Sequence, residues 1–244
     1  MKIRLDRLLV ERGLAPTREK AQAMILAGLV TVGGRRVEKA GEGVPSDAEV
    51  EVAGPPHPYV SRGGVKLAGA IDGLGVAVSG LRCLDVGAST GGFTDCLLQR
   101  GAKSVAAVDV GYGQLAAKLR SDARVLVKER TNARTLAPED IGGEVDLTVV
   151  DASFIGLGKL LPAIARCTKK GGQLLALVKP QFEVGREEAS KSKGVVRDEK
   201  VRATAIARVA DEVREAGFRV LGERDSTLAG PSGNVEAFIW AERT

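Results

Sequence analysis

The sequence predicts an α/β fold with a mostly parallel sheet, preceded by a small α+β domain. Strand and helix patterns alternate from Leu81 onward, which is typical of a sheet covered by helices on both faces. The first 40 residues instead show two short helix patterns and a hairpin pattern. A stretch rich in proline, residues 53–58, separates these regions and predicts a linker. We therefore expect domains at residues 1–53 and 63–244, joined by a linker at 54–62.

The composition excludes several classes of protein. With 36 Lys and Arg against 31 Asp and Glu, the 244 residues carry a net charge of +5, which favours an anionic partner. Hydrophobic residues make up 44% and charged residues 27%, so the chain is not disordered. No apolar stretch approaches the roughly 20 residues of a membrane helix, and the charged N-terminus lacks the apolar core of a signal peptide. We expect a cytoplasmic protein without a membrane partner. Aromatic residues are only 3%, so broad aromatic stacking platforms are not expected.

The cysteine and histidine counts argue against several kinds of site. Cys83, Cys96 and Cys167 are odd in number and widely spaced, which fits neither a disulfide framework nor a zinc site. A Ser-His-Asp or Cys-His site would have to use His57, the single histidine, which lies in the segment rich in proline. We predict no metal, and buried, reduced thiols.

The first domain is predicted to begin with two helices. Apolar side chains spaced for one helix face mark the first helix: Leu5, Leu8 and Leu9. Gly13 can end this helix, and Thr17 can cap a second one that stops at Gly28. Gly33-Gly34 predicts the turn of a hairpin, and Glu49–Val52 a further short strand.

The second domain contains seven strand patterns. The first five are Arg82–Val86, Val105–Val110, Val125–Lys128, Val145–Asp151 and Gln173–Lys179. Helices are predicted at Thr94–Arg100, at Leu157–Cys167, and between a capping Asp198 and a terminal Gly217. The last two strands, Phe218–Glu223 and Glu236–Ala241, follow each other without a helix. They predict one antiparallel strand at the end of the sheet.

A glycine-rich turn after the first strand is the candidate binding site. The segment DVGASTGGFTD, residues 85–95, opens a helix, and its glycines let a ligand approach the backbone at the carboxyl ends of the strands. Asp109 ends the second strand and can hold the hydroxyls of a ribose. The glycine spacing is not that of a dinucleotide site, so a nucleoside cofactor is favoured. The alternative is a tight turn beside a solvent-facing aspartate.

Four further charged residues lie at the ends of predicted elements. Asp151 ends the fourth strand, and Lys179 ends the fifth, where a solvated charge is the commoner interpretation. Lys66 lies near a helix N-terminus, where the helix dipole opposes a cation, so either a function or a carboxylate neighbour is indicated. Glu236 begins the last strand.

The first 40 residues hold nine basic residues and only four acids. This surplus predicts a surface that binds an anionic partner. The candidate residues are Arg4, Arg7, Arg18 and Lys20. An ordinary solvated helix surface is the alternative, in which case Lys191, Lys193 and Arg197 of the second domain could hold that partner instead.

Five segments in this order, SRGGVKL, DVGASTGGFTD, DASFIGL, LVKPQFE and GPSGNVE, resemble the TlyA/haemolysin-A family of ribosomal RNA methyltransferases. The first forty residues are similar to the alpha-L RNA-binding domain, named after a small-subunit ribosomal protein. The resemblance covers nearly the whole chain and implies a Rossmann-like methyltransferase domain of the FtsJ type. It implies S-adenosylmethionine as cofactor, 2′-O-methylation of cytidine as reaction, and ribosomal RNA or a ribosomal subunit as partner.

The resemblance also assigns site residues. The catalytic tetrad of the family falls on Lys66, Asp151, Lys179 and Glu236. The cofactor-binding positions are Asp85, Gly87, Ala88, Ser89, Thr90, Gly91, Phe93, Thr94, Asp109 and Asp151. The chain departs from the family at the linker, where His57-Pro58-Tyr59-Val60 stands in place of an Arg-x-Trp-Val element tied to cofactor binding. Because it ends soon after its last strand, it resembles the shorter members, which modify only large-subunit RNA.

The chemistry of a ribose hydroxyl predicts roles for the tetrad. The hydroxyl is a weak nucleophile, so oxygen, methyl and sulfur must be aligned and one proton removed. A lysine with its usual pKa near 10.4 is a poor base, and burial or a second lysine lowers that pKa. We expect Lys179 to be the base or to hold the hydroxyl, Lys66 to tune it, and Asp151 and Glu236 to orient the lysines, without a metal.

Three other functions are compatible with parts of the sequence. A non-catalytic RNA-binding ribosome-assembly factor would use the basic first domain alone. A dehydrogenase would use the glycine turn for a dinucleotide, although the glycine spacing fits poorly. A haemolysin-type cytotoxic protein is what an older family name implies, but no membrane-binding amphipathic helix is evident in the sequence.

Overall fold

The computed structural model describes residues 2–15, 17–26, 28–52, 57–184, 195–230 and 233–244. The chain divides into two compact units, residues 1–58 and 59–244, and the division falls within the predicted linker. Linker residues 54–56 lie outside the described residues, as do Lys191 and Lys193. The first unit has one cluster of buried apolar side chains, and the second unit has two.

The part of the first unit that the structure describes contains two helices and five short strands. They are β1 Lys2–Arg4, α1 Leu5–Glu11, α2 Arg18–Leu26, β2 Val30–Val32, β3 Arg35–Arg36, β4 Gly43–Pro45 and β5 Val50–Val52. The strand β1 pairs with β4, and β2 lies between β3 and β5. The pair β1–β4 is not predicted by the sequence, because strands of three residues leave too short a pattern to detect.

Local predictions in the first unit are confirmed. Leu5, Leu8 and Leu9 are buried in its core. The Thr17 hydroxyl accepts the Lys20 N–H at 3.2 Å, as a helix cap does. The hairpin turn has two glycines with positive φ, 55° at Gly33 and 74° at Gly34, a backbone that side chains with a Cβ avoid.

The second unit contains seven strands and six α-helices among the described residues. The strands are β6 Arg82–Val86, β7 Ser104–Val108, β8 Val125–Lys128, β9 Val145–Val150, β10 Thr168–Val178, β11 Phe218–Asp225 and β12 Ala237–Arg243. The helices are α3 Arg62–Leu74, α4 Gly92–Gln99, α5 Ala117–Arg120, α6 Leu161–Cys167, α7 Pro180–Glu183 and α8 Glu199–Glu215. Short 3-10 helices lie at Ala133–Thr135, Pro138–Ile141 and Leu157–Lys159.

The seven strands form one sheet in the order β11-β12-β10-β9-β6-β7-β8. The strand β12 runs antiparallel to both of its neighbours, and the other pairs are parallel. The predicted α/β fold with one antiparallel strand is confirmed, but its predicted place at the end of the sheet is wrong. Phe238 and Ile239 of β12 are fully buried and need neighbours on both sides, whereas β11 carries exposed charges that suit an edge.

Most element boundaries lie within two residues of the prediction, and two differ by more. The helix predicted from Leu157 begins with a 3-10 turn, and α6 starts only at Leu161, next to Pro162, which favours a helix start. The fifth strand starts five residues early, at Thr168, with an irregularity before Gln173. The Asp198 cap is confirmed, since its side chain accepts the N–H of the second and third helical residues.

The topology brings several loops to one edge of the sheet. The strand β6 lies between β7 and β9, so the connections leave it in opposite directions. Ligands of such sheets bind outside the carboxyl ends of the strands at this point. Because β12 is antiparallel, its first residues lie at the same edge as the last residues of β10, where Val178 pairs with Ala237. Glu236 therefore reaches the edge where β6, β7, β9 and β10 end.

Among the described residues, no helix is long and apolar enough to cross a membrane. The three cysteines are buried, and none is in a disulfide. Burial raises the pKa of Cys83 to about 12 and that of Cys96 and Cys167 to about 11, so these thiols are inert at neutral pH.

Candidate active site

The turn after β6 is shaped by a close approach of two strand ends. Gly87 has φ +85°, and a Cβ built there would lie 2.6 Å from the Asp151 carbonyl oxygen. Only glycine meets both conditions. The sequence predicts that this glycine lets a ligand approach the backbone. In the structure, it also lets the end of β9, with Asp151, come against the end of β6.

Asp109 ties this turn to the loop after β7. Its carboxylate accepts the Ser89 N–H at 2.8 Å and the Gly111 N–H at 2.6 Å. Ser89 has φ +48°, and its hydroxyl donates to the Gln114 side-chain oxygen at 3.2 Å. A carboxylate has about four lone-pair sites, so Asp109 keeps acceptor capacity for hydroxyl groups.

Two cavities flank the turn. One has a volume of about 360 Å³ and the other about 440 Å³, and both are lined by Gly87, Ser89 and Asp151. The first cavity is also lined by Ala88, Thr90, Phe93 and Lys66. The second is also lined by Asp109, by the polar side chains of Gln114 and Asn132, and by apolar residues: Val110, Ala133, Ile155 and Leu160. Apart from Asp109, the residues of this second set are not predicted from the sequence, and of those only Ile155 lies within a quoted segment, DASFIGL.

Three of the predicted cofactor-binding residues line neither cavity. Asp85 and Thr94 are fully buried, and the Thr94 hydroxyl donates to the Asp85 carboxylate at 2.6 Å. Burial raises the pKa of Asp85 to about 7, and the Asp151 charge adds to this shift. At Gly91, φ is +94° and a Cβ would meet the Leu119 side chain. In the structure, these three residues thus stabilise the turn and do not line a cavity.

Lys66 and Glu236 form a buried ion pair. The Lys66 ammonium donates to Glu236 Oε2 at 2.5 Å, and the residues are 7% and 1% exposed. Lys66 lies in the second turn of α3, and Glu236 precedes β12. The carboxylate neighbour explains why the cation is tolerated there. Each charged group requires the other as its partner, because burying an unpaired charge costs free energy.

Lys179 and Asp151 form a second pair. Lys179 Nζ lies 2.5 Å from Asp151 Oδ1 and donates to Ser153 Oγ at 2.7 Å. Lys179 follows β10 directly, and Pro180 begins α7 after it. Since Lys66 and Asp151 line the same cavity, the two pairs border one space. Two ammonium groups and two carboxylates can orient a hydroxyl and move a proton there.

The loop before Glu236 is held by a residue that the sequence analysis did not single out. Asn234 is 1% exposed, its side-chain oxygen accepts the Val196 N–H, and its carbonyl accepts the Gly230 N–H, both at 2.9 Å. The buried Arg202 donates to the Val235 carbonyl at 3.1 Å. The asparagine within GPSGNVE was the available signal. Residues 231–232 of this segment lie outside the described residues.

Phe154 is an exposed aromatic residue beside the Lys179–Asp151 pair. Its φ is +64°, its exposure is 91%, and its ring lies 5.2 Å from that of Phe182. A left-handed backbone is strained for an aromatic residue, and such strain clusters at functional sites. Its place within DASFIGL was the available sequence signal.

The predicted RNA-binding residues of the first unit have different surroundings. Arg4 and Arg18 donate to the buried Asp6 carboxylate, at 2.9–3.1 Å and 3.0 Å respectively. The Arg4 guanidinium holds the pKa of Asp6 well below its usual range. Arg7 pairs with Glu11 at 2.8 Å, and Lys20 is exposed. Arg197 of the second unit is also exposed.

Comparison with known proteins identifies both units. Residues 59–243 match the model of the FtsJ-like methyltransferase family, and residues 3–50 match the S4 domain. A 16S/23S rRNA (cytidine-2′-O)-methyltransferase, TlyA of Mycobacterium tuberculosis, is 50% identical over 97% of this chain and 88% of its own. A 23S rRNA (cytidine-2′-O)-methyltransferase, TlyA of Campylobacter jejuni, is 35% identical over 75% of this chain and 70% of its own.

A solved structure shows the same architecture. A protein described as a hemolysin from Streptococcus thermophilus aligns with a TM-score of 0.78 and 42% identity, covering 100% of this chain and 89% of that one.

Proposed function

The chain belongs to the FtsJ-like methyltransferase family and, within it, to the TlyA/haemolysin group, and from this we propose that it methylates the 2′-hydroxyl of a cytidine in ribosomal RNA, with S-adenosylmethionine as methyl donor. The observation that supports this most strongly is the Lys66–Glu236 and Lys179–Asp151 arrangement beside the glycine turn. The printed names of the relatives supply the RNA and the cytidine.

The residues around the turn fit the cofactor. Asp109 keeps acceptor capacity for the ribose hydroxyls, and the apolar walls and the Asn132 side chain of the second cavity fit an adenine ring. Gly87 and Ser89 border both cavities and would lie along the middle of the bound cofactor. When bound, S-adenosylmethionine supplies an electrophilic methyl group.

The tetrad then acts on the acceptor hydroxyl. Lys179, as the neutral amine, accepts the proton of the 2′-hydroxyl as the oxygen takes the methyl group, and it becomes the ammonium that pairs with Asp151. Asp151 and Ser153 fix the direction of its Nζ. Glu236 holds Lys66 at the wall of the first cavity, where Lys66 positions the ribose. The described residues contain no group of three or more His, Cys, Asp or Glu that could hold a metal ion.

The target base and the RNA backbone contact other residues in this proposal. The exposed Phe154 ring offers a stacking surface for an unpaired cytosine, the usual way in which single-stranded bases are held. Arg4, Arg7, Arg18 and Lys20 of the S4 unit bind phosphates, which position the RNA without reading its sequence.

We propose large-subunit RNA as the substrate, since 23S rRNA is common to the names of both methyltransferase relatives. The enzyme acts in the cytoplasm, where ribosomes are assembled. Methylation of small-subunit RNA as well would widen this substrate range without changing the reaction.

The decisive experiment maps 2′-O-methylation on both ribosomal RNAs from cells with and without the gene, and repeats it with Lys179→Ala. We expect one or more cytidines of large-subunit RNA to lose the methyl group in the deletion and in the variant. Identical maps would overturn the proposal. They would favour a non-catalytic ribosome-assembly factor if ribosome profiles change, and a cytotoxic protein if only lysis of erythrocytes changes.

A further inference from the structure

We infer that Glu183 is a positioning residue for the proposed methyl transfer, because its carboxylate holds the loop that presents Asp151 and Ser153 to Lys179. The inference rests on the proposed function. Glu183 ends α7 and is only 6% exposed, so its carboxylate needs partners inside the protein. Its partners lie on the loop after β9 and on α8.

Three contacts join the loop 151–157 to the segment 179–183. Lys179 holds Asp151 and Ser153 at the start of the loop. The rings of Phe154 and Phe182 meet in the middle, with centroids 5.2 Å apart. Glu183 Oε1 accepts the Leu157 N–H at 2.9 Å at the far end. The loop is thus fixed at both ends by charged residues of one short segment.

The second carboxylate oxygen anchors Glu183 to α8. Arg208 donates to Glu183 Oε2 at 3.3 Å and also to the Glu183 backbone carbonyl. Arg208 is in turn 3.4 Å from Glu212 on the same helix. The loop runs directly against this oxygen, since a Cβ at Gly156 would lie 3.3 Å from Glu183 Oε2. The position of the carboxylate therefore determines the path of the loop.

Glu183 does not line either of the two cavities at the turn, so it acts through the loop. Without the carboxylate, Leu157 loses its acceptor and the loop is free to shift. A displacement of about 1 Å at reacting groups can cost about 10²-fold in rate. A merely structural ion pair would lower stability but leave the rate of the folded enzyme unchanged.

The test compares Glu183→Ala, Glu183→Gln and the control Glu212→Gln, which alters the other carboxylate on Arg208. Single-turnover methyl transfer to ribosomal RNA is measured below the melting temperature of each variant, and S-adenosylmethionine affinity is measured by calorimetry. We expect Glu183→Ala to be about 10- to 100-fold slower. Glu183→Gln, which keeps the acceptor, should stay within about 3-fold, as should Glu212→Gln and the cofactor affinity of all three.

A Glu183→Ala enzyme as fast as the wild type would overturn the inference. So would a Glu183→Gln enzyme as slow as Glu183→Ala, or a rate loss matched by an equal loss of cofactor affinity. If Glu183→Ala does not fold, Arg208→Ala decides, since Arg208 is exposed and its loss should slow transfer by at least about 3-fold. A wild-type protein that binds the cofactor but transfers no methyl group would instead contradict the proposed function.

Discussion

The first unit and the candidate active site of the second unit use a buried carboxylate in opposite ways. In residues 1–58, Asp6 alone accepts hydrogen bonds from Arg4, Arg18 and Gln22, and the two arginine side chains remain 50% and 55% exposed. In residues 59–244, Glu236 pairs with one lysine, and both side chains are buried. One acid for two exposed arginines leaves positive charge for phosphates, whereas one acid per lysine leaves a neutral site. In the proposed function, attraction of RNA and proton transfer therefore depend on separate sets of residues.

The largest expected effect is on the rate of methyl transfer when either lysine of the site is replaced. Lys179→Ala and Lys66→Ala should each slow methyl transfer by about 10²–10⁴-fold, the usual range for loss of a general base or its partner. Lys66→Ala should also lower the melting temperature more, because it leaves the buried Glu236 unpaired, whereas Asp151 is 24% exposed at its side chain. Tritiated S-adenosylmethionine and thermal melts measure both effects.

The control for the lysines is Lys169→Ala, which removes a surface pair with Asp146. It should leave the rate unchanged. Near-normal turnover in both site variants would contradict the tetrad assignment.

The next largest effect tests whether the units work separately. A chain beginning at Tyr59 should fold, because the two cores share no residues. It should keep most S-adenosylmethionine affinity and lose most RNA methylation at physiological salt, since phosphate contacts contribute strongly to affinity. Efficient methylation by this fragment would show that the second unit binds RNA by itself.

Asp109→Ala tests how the second unit binds the cofactor. It should weaken S-adenosylmethionine binding by about 1.5–3 kcal/mol in calorimetry, the range for hydrogen bonds to a charged group. Asp122→Ala removes a surface aspartate that is paired with Arg124, and it should have no effect. Unchanged affinity in Asp109→Ala would place the ribose contact elsewhere.

Asp6→Asn should change RNA affinity less, but the direction of the change distinguishes two explanations. The substitution removes one negative charge and so raises the net charge by one, and a surface that attracts RNA by net charge alone would bind more tightly. If Asp6 orients Arg4 and Arg18, binding should weaken by several-fold instead. Arg18→Ala should reduce the salt slope of binding by up to about one. Filter binding across a salt series measures both, with Glu11→Gln as the matched exposed control.

The smallest effect concerns pH. Because the pKa of the buried Asp85 is raised to about 7, the folded state holds a proton there that the unfolded state releases near pH 4. This contribution to stability is complete below about pH 4 and is lost as pH rises through about 7. The melting temperature of the ligand-free protein should therefore fall more from pH 5 to pH 8 than that of Asp85→Asn. Equal slopes would contradict the raised pKa.

Much of the fold was predictable because it is encoded locally. Leu5, Leu8 and Leu9 have helical spacing, and the cap at Asp198 depends on its immediate neighbours. The position of β12 was not predictable, because a hairpin-like pair can join a sheet by either strand. The roles of Asp6, Glu183 and Asn234 depend on partners 12 to 38 residues away, which a repeating pattern does not reveal.

The antiparallel direction of β12 has a consequence for synthesis of the chain. Lys66 and Glu236 are 170 residues apart, and they meet because the last strand inserts between β10 and β11 and runs against them. Until that strand has been made, Lys66 lacks this counter-ion, and neither β10 nor β11 has the partner that joins them. The proposed catalytic centre of a nascent chain therefore forms only when the last strand has been added.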